Sequence, residues 1–329
     1  MHPSYPADFV PTFPIYIDSS MRGDFVECPR KFADGYIFKR TLPGTNVHLT
    51  AGGAYAKGLE VVRTLVWGPE KLSLDDAIAS AIPAIVAEYG DLRPTEDYKH
   101  KSVKNVITAI VAYFDRYPPG RDHLQPFIKE NGYPAVEFTF AFPTGIPHPI
   151  TKEPILYVGR FDMVGVYNDL LWVVDDKTAS ALGAGWDRSW RLRGQLTGYT
   201  FAAHQFGFKA AGAIVRGISF LRTGAFGFSE PIEYRSHWQL DRWWNQLHRD
   251  IARMVDCWND KGEDGEYPFG YWDYNLAEAC TAYGGCPFVD LCAVSNPDVW
   301  AETNYEYRDW NPLEKNPSGR KQIRSTFSS

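Results

Sequence analysis

The residues best placed to do chemistry lie in one stretch, Ile155 to Thr178, which reads ILYVGRFDMVGVYNDLLWVVDDKT. Two apolar runs rich in β-branched and aromatic residues flank Asn168-Asp169, the pattern of strand, two-residue turn and strand. Such a turn sets the register: Tyr167 faces Leu170, and Asp162 falls opposite Asp175. Side chains repeat every two residues along a strand, so Lys177 shares the Asp175 face and Asp176 points the other way. Two carboxylates and an ammonium thus meet on one patch of sheet. Facing carboxylates repel unless a cation lies between them. Oxygen ligands of this kind suit Mg²⁺ or Mn²⁺, metals that polarise a phosphoryl oxygen and acidify bound water. Lys177 would orient a water or offset charge on a phosphoryl group. The alternative is a surface hairpin with solvated acids. Val173-Val174 argues against it, because the strand looks buried there and buried acids need partners.

The neighbouring elements must hold this patch in place. Residues 134–142 (PAVEFTFAF) alternate as a strand and carry Glu137, either an edge acid or a third carboxylate delivered beside Asp162. A helix over about 187–206 puts Gln195 and Tyr199 four apart on one face. Arg188, Trp190 and Arg191 crowd its first turns: the arginines can grip phosphates and the tryptophan can stack on a base, or they form a wet helix end with a packed tryptophan. Upstream, a Pro-rich arm to residue 18 leads into a helix capped by Ser19 or Ser20 and bent or restarted at Pro29. A helix from about Gly53 to Leu65 follows. Gly52-Gly53 allows close backbone approach at its start, and Glu60 and Arg63 suit a helix-surface pair. Helices are expected over 72–89 and 98–116. Lys99, Lys101 and Lys104 in the second face either solvent or phosphate. A loop over 143–153, strands over 210–221 and 229–238, and a helix over 240–260 complete the pattern. The organisation expected is an arm (1–18), a helical region (19–133), a core (134–236) and a C-terminal helix with a cysteine-bearing segment (237–329).

Lys and Arg number 34 against 40 Asp and Glu, a net charge of −6. This argues against a broad basic surface but leaves room for a local basic groove. No apolar run reaches membrane-spanning length, and the N-terminus lacks the basic-then-apolar pattern of a signal peptide, so a cytoplasmic location is expected. Five cysteines are poor material for a disulfide framework. Cys280, Cys286 and Cys292 crowd one segment, and Cys28 is a candidate fourth ligand for a [4Fe–4S] cluster stapling the two chain ends together. Zinc on the same four, or unligated thiols, are the alternatives.

These residues resemble the PD-(D/E)XK nuclease superfamily, in particular its RecB-type, CRISPR-associated-exonuclease-like branch with an iron–sulfur staple. The likeness covers roughly residues 19–66 and 135–293. Gly159-Arg160-Phe161-Asp162 matches the strand that supplies a metal-binding aspartate. Asp175-Asp176-Lys177 matches the D-x-K element, and Gln195 with Tyr199 matches Q-x-x-x-Y. The resemblance implies an α/β fold: a restriction-endonuclease-like core, its central mixed sheet flanked by helices, with a helical region and an iron–sulfur staple on Cys28, Cys280, Cys286 and Cys292. It also implies a metal-dependent DNA exonuclease. Asp162, Asp175 and the Asp176 carbonyl would be ligands, with Glu137 a further candidate, and Lys177 would be catalytic. The partner would be DNA with a free end or single-stranded segment, alongside separate recombination or helicase proteins. Likeness to phage exonucleases implies a phage origin, a role in recombination, repair or processing, and the host cytoplasm. Two departures stand out. The Gly52–Glu60 region lacks the family's metal-binding histidine, with Tyr55 and Lys57 nearby, and the cysteines are more widely spaced than usual. A catalytically weak DNA-binding or assembly module, a structure-specific endonuclease and a hydrolase of small phosphoesters are the alternatives.

Overall fold

The computed structural model describes residues 9–44, 46–276, 278–281 and 285–313. The expected arm (1–18) and C-terminal region (237–329) thus lie in part outside the described residues. In chain order the chain forms strand β1 (Tyr16–Ile17), helices α1 (Ser19–Glu27) and α2 (Pro29–Phe32), strand β2 (Arg40–Thr41), and helices α3 (Val47–Trp67), α4 (Leu74–Tyr89) and α5 (Val103–Arg116). Strands β3 (Gln125–Pro126), β4 (Val136–Pro147), β5 (Pro154–Tyr167) and β6 (Leu170–Ala179) follow, then helices α6 (Ala184–Ser189) and α7 (Gly194–Gln205). Strands β7 (Ala210–Phe220), β8 (Phe226–Ser229) and β9 (Ile232–Tyr234), helix α8 (His237–Asn259), short helices α9 (Val289–Ala293) and α10 (Pro297–Asn304), and strand β10 (Glu306–Tyr307) complete the chain. Among the described residues no helix is long and apolar enough to cross a membrane.

The chain divides into two compact units. One comprises Thr45–Phe140 and Arg160–Asp241. Its sheet is mixed: β6 runs antiparallel to β5 and parallel to β7, and β8 and β9 pair antiparallel with β7. Helices α3, α4 and α5 cover it through Tyr55, Leu59, Val62, Ile85, Ile110 and Phe114, packed with Ile218 and Phe220 of β7. Fully burying each such aliphatic or aromatic side chain contributes roughly 1.5–3 kcal/mol relative to exposure. The α/β class with a mixed sheet flanked by helices is as expected.

Several boundaries differ from the sequence pattern for local reasons. Asn46 caps α3 by accepting the His48 and Leu49 N–H groups at 2.9 and 3.3 Å, which starts this helix two turns early. The single helix expected over 187–206 is two, because Arg193 takes up extended backbone just before α7. Strand β4 runs on to Pro147, through residues whose Pro/Gly content reads as a loop.

The other unit comprises Met1–Gly44, Ala141–Gly159 and Arg242–Ser329. Here β1 lies parallel to the start of β5, and β2 pairs with β10. Asp18, not Ser19 or Ser20, caps α1, accepting the Ser20 and Met21 N–H groups at 2.8 Å. Cys28 breaks the helix in extended conformation, and Pro29 restarts it as α2, the position where a missing N–H costs nothing. Helix α8 contributes Trp243, edge-on to Tyr157 at 5.2 Å, and Asp250, paired with Arg22 at 2.7 Å.

Candidate active site

The hairpin forms as its turn chemistry dictates. Asn168 and Asp169 both adopt positive φ, 49° and 60°, the backbone of the two-residue turn whose twist matches that of paired strands. The ladder runs from Tyr167↔Leu170 to Met163↔Val174 in the expected register. At the next rung the Asp162 carboxylate stands in for a backbone acceptor, receiving the Asp176 N–H at 2.7 Å. Asp175 and Lys177 share a face: Lys177 Nζ donates to Asp175 Oδ1 at 2.8 Å and lies 2.7 Å from Oδ2, a buried oxygen with no hydrogen bond of its own. Asp162, Asp175 and Lys177 therefore converge.

The charge state follows from that convergence. Burial, then the Asp175 charge, pushes the Asp162 carboxyl up to about 7. Burial likewise raises Asp175, against the pull of Lys177. For Lys177 burial opposes the charge, but Asp175 and then Asp162 outweigh it, and its pKa ends above the ordinary lysine value. Glu137 sits at the start of β4 with φ of 48°, a region sparsely used by side-chain-bearing residues and often found at functional sites. Burial, then Asp162, raises its carboxyl to about 8, and Arg160 Nε lies 2.6 Å from it.

On the opposite side of the strand the Asp176 carboxylate meets Arg63 of α3, at 2.5 and 3.0 Å. Arg63 also donates to the Tyr113 hydroxyl at 2.6 Å, which receives Arg216 of β7 at 2.8 Å. Arg216 is held in turn by Asp122 at 2.7 Å and Glu230 at 2.6 Å. This corrects the expected Glu60–Arg63 surface pair. Arg63 is 2% exposed and faces the sheet, while Glu60 pairs with Lys57 at 2.8 Å. The clue was present: position 63 continues the buried stripe of Tyr55, Leu59 and Val62.

The family model described as the PD-(D/E)XK nuclease superfamily matches residues 23–293, well over half of the chain. The chain belongs to the PD-(D/E)XK nuclease superfamily. Among solved structures it is similar to an exonuclease candidate from Eubacterium rectale (14% identity, 81% of this chain and 86% of that one, TM-score 0.44). It is also similar to the protein SSO0001 (12% identity, 72% and 84%, TM-score 0.30). No curated protein is significantly similar to it in sequence.

In this PD-(D/E)XK chain the remaining predicted residues are distributed as follows. Gln195 Nε2 donates to the Tyr199 hydroxyl at 3.2 Å, on one face of α7, and Tyr199 packs edge-on to Phe140 and Phe161. Arg188 and Arg191 are exposed. Trp190 is 7% exposed and packs edge-on to Trp186 at 5.2 Å, so the expected stacking on a base is corrected: the ring is closed off. Arg193, which the sequence pattern did not single out, is exposed and its charge acts on Asp175. Among the described residues no three Asp, Glu, His or Cys donors stand close enough to hold one metal ion. Glu137 and the Asp176 carboxylate therefore do not complete a ligand trio with Asp162 and Asp175, because Arg160 and Arg63 engage them. A hard cation still fits the hairpin. Mg²⁺ commonly takes one or two protein carboxylates and fills its shell with water and substrate phosphate. Asp162 and Asp175 are such a pair, and Asp175 Oδ2 is an oxygen without a hydrogen bond.

In the other unit, Cys28, Cys280, Cys286 and Cys292 line one cavity together with Arg30, Lys31 and Asp34. All four are free thiols. Burial raises the Cys286 and Cys292 thiols, and each feels the charge of Cys28. A zinc ion requires its sulfurs about 3.8 Å apart, from Zn–S bonds of about 2.3 Å. Among the described residues no three of these thiols stand close enough to hold one metal ion.

Proposed function

We propose that the chain is a metal-dependent DNA exonuclease. The observation that carries this is the convergence of half-buried Asp162 and buried Asp175 with the Lys177 ammonium on one face of the hairpin. Asp162 and Asp175 would hold Mg²⁺ or Mn²⁺, which when bound polarises a phosphoryl oxygen and acidifies water. Lys177 orients the attacking water and offsets charge as it builds on phosphorus. Arg63 fixes Asp176, and with it the segment carrying both Asp175 and Lys177. Gln195 and Tyr199 steady the strand, and Arg188, Arg191 and Arg193 are the cations offered to its phosphates. In-line attack by water releases a product with a 5′-phosphate.

The test is digestion of end-labelled linear DNA, single- and double-stranded, beside closed circular DNA, with Mn²⁺, Mg²⁺ or a chelator. Linear DNA should shorten from its ends only with metal, and circles should survive. Circles cut as fast as linear DNA would make the enzyme an endonuclease, and folded protein inert under every metal would overturn the nuclease reading.

Metal binding has a readout independent of turnover. At a hundredfold excess over Kd, Mn²⁺ should stabilise the fold by about 2.7 kcal/mol, raising Tm by several degrees. Asp175→Asn should abolish that rise, and an undiminished rise in the variant would remove Asp175 from the ligand set.

The four-cysteine cavity supports an iron–sulfur staple as a structural element of the same enzyme. Protein purified without oxygen should be brown and contain iron and sulfide. Cys280→Ser should bleach it and lower its Tm, since metal binding of this kind is folding free energy. A colourless, zinc-loaded protein would overturn the assignment.

A further inference from the structure

The turn between α6 and α7, residues 190–193, carries an apolar side chain that neither packing nor the reacting groups account for. Leu192 is 80% exposed, the most exposed large apolar residue among those described. A singly exposed leucine is ordinary. This one differs in its company and its place. Arg188, Arg191 and Arg193 lie within four positions of it, and all three are exposed. Buried Arg63, Arg216 and Arg235 are each paired with a carboxylate, whereas among the described residues these three have no such partner. The acid next to them in sequence, Asp187, is engaged by the Ser229 hydroxyl, which donates to it at 2.5 Å. Unpaired guanidiniums gathered at one turn of a chain with net charge −6 fit a polyanion.

The turn lies on the reacting side of the sheet. Gly217 of β7 is the ladder partner of Lys177 and shares its face. A Cβ on Gly217 would collide with the Trp186 ring, so α6 lies across the strand beside Lys177. Trp190 packs on Trp186, and the Arg193 guanidinium sits 5.8 Å over the Trp190 ring. From there its charge reaches Asp175. The base of the turn is fixed: the Trp190 carbonyl accepts from buried Arg235 at 3.1 Å and from the Arg193 N–H at 3.2 Å. Leu192 therefore projects from a held base, one residue from a guanidinium that acts on a reacting carboxylate. Apolar side chains that enter DNA do so between bases, where they part a step of the stack. We propose that Leu192 is a wedge that enters the terminal base pair of a duplex, with Arg188 and Arg191 holding phosphates of the parted strands and Arg193 guiding one strand to Asp175 and Lys177. This inference rests on the nuclease reading and adds an opening step: the chain itself frays the end that it cuts.

The test compares Leu192→Ser with wild type on end-labelled DNA of one sequence: single-stranded, blunt duplex, and duplex with an unpaired, forked end. Rates are taken under single turnover with Mn²⁺. The substitution should lower the ratio of blunt-duplex to single-strand rate about tenfold, within the cost of unstacking one base step. The forked end, already open, should restore the lost rate. Leu192→Met, apolar and of similar volume, should keep the wild-type ratio. A second readout needs no cleavage. 2-Aminopurine in the terminal pair should brighten when the duplex binds Lys177→Ala protein, and the rise should vanish when Leu192→Ser is added. An unchanged ratio, equal losses on single and double strands, or a wild type that cuts single strands but not blunt ends would each overturn the wedge and leave the nuclease reading in place. Wild-type protein that cuts none of the three substrates would sink both.

Discussion

Lys177→Ala protein should bind DNA as tightly as wild type and cleave it at least about 10³-fold more slowly, the scale of losing one preorganised charge donor. The Lys177 side chain is 32% exposed, so its ammonium is open to a water or phosphate while still held by Asp175. No other described cation lies in hydrogen-bond contact with Asp175, so an alanine leaves its place unfilled. The comparison to make is single-turnover cleavage at saturating Mn²⁺ alongside oligonucleotide affinity. A variant that cut at the wild-type rate would end the case for Lys177 as the catalytic lysine. Lys177→Arg separates charge from shape: it keeps the cation but broadens the head group, and should recover only part of the rate.

Arg63→Met should cost about 3–5 kcal/mol, the penalty for leaving one member of a buried ion pair alone. The Arg63 and Asp176 side chains are 3% and 2% exposed, so solvent screens this pair little. Urea unfolding of Arg63→Met, Asp176→Leu and the double variant closes a cycle. The double variant should be more stable than Arg63→Met alone, because an apolar pair removes the uncompensated carboxylate. A loss below about 1 kcal/mol for Arg63→Met would put the pair in the class of surface contacts.

The hairpin was legible because its signals are local. Asn168-Asp169 sets the turn, the turn sets the register, and alternation then assigns Asp175 and Lys177 to one face and Asp176 to the other. The cysteine quartet was legible by type and clustering, although nothing in its spacing predicts a shared cavity. Trp190 was open to two readings, because a tryptophan among arginines has the same composition in a nucleic-acid groove as in a packed helix end. Only its contact with Trp186 decides. The break before α7 depends on the extended backbone of Arg193, which no helical periodicity reveals. Least legible was the Arg63–Tyr113–Arg216 group, whose members are separated by 50 and 103 positions. Windowed patterns cannot join residues that far apart.

Asp176 and Arg216 are directly paired across β6 and β7. The Tyr113 oxygen receives one guanidinium from each of the two flanking elements, so both of its lone pairs are taken. Neither arginine can drift without tugging the other through that single atom, and substitutions at 63, 113 and 216 should be tolerated together or not at all. A phenylalanine at 113, differing by one oxygen, would strip an acceptor from Arg63 of the helix and Arg216 of the strand at once.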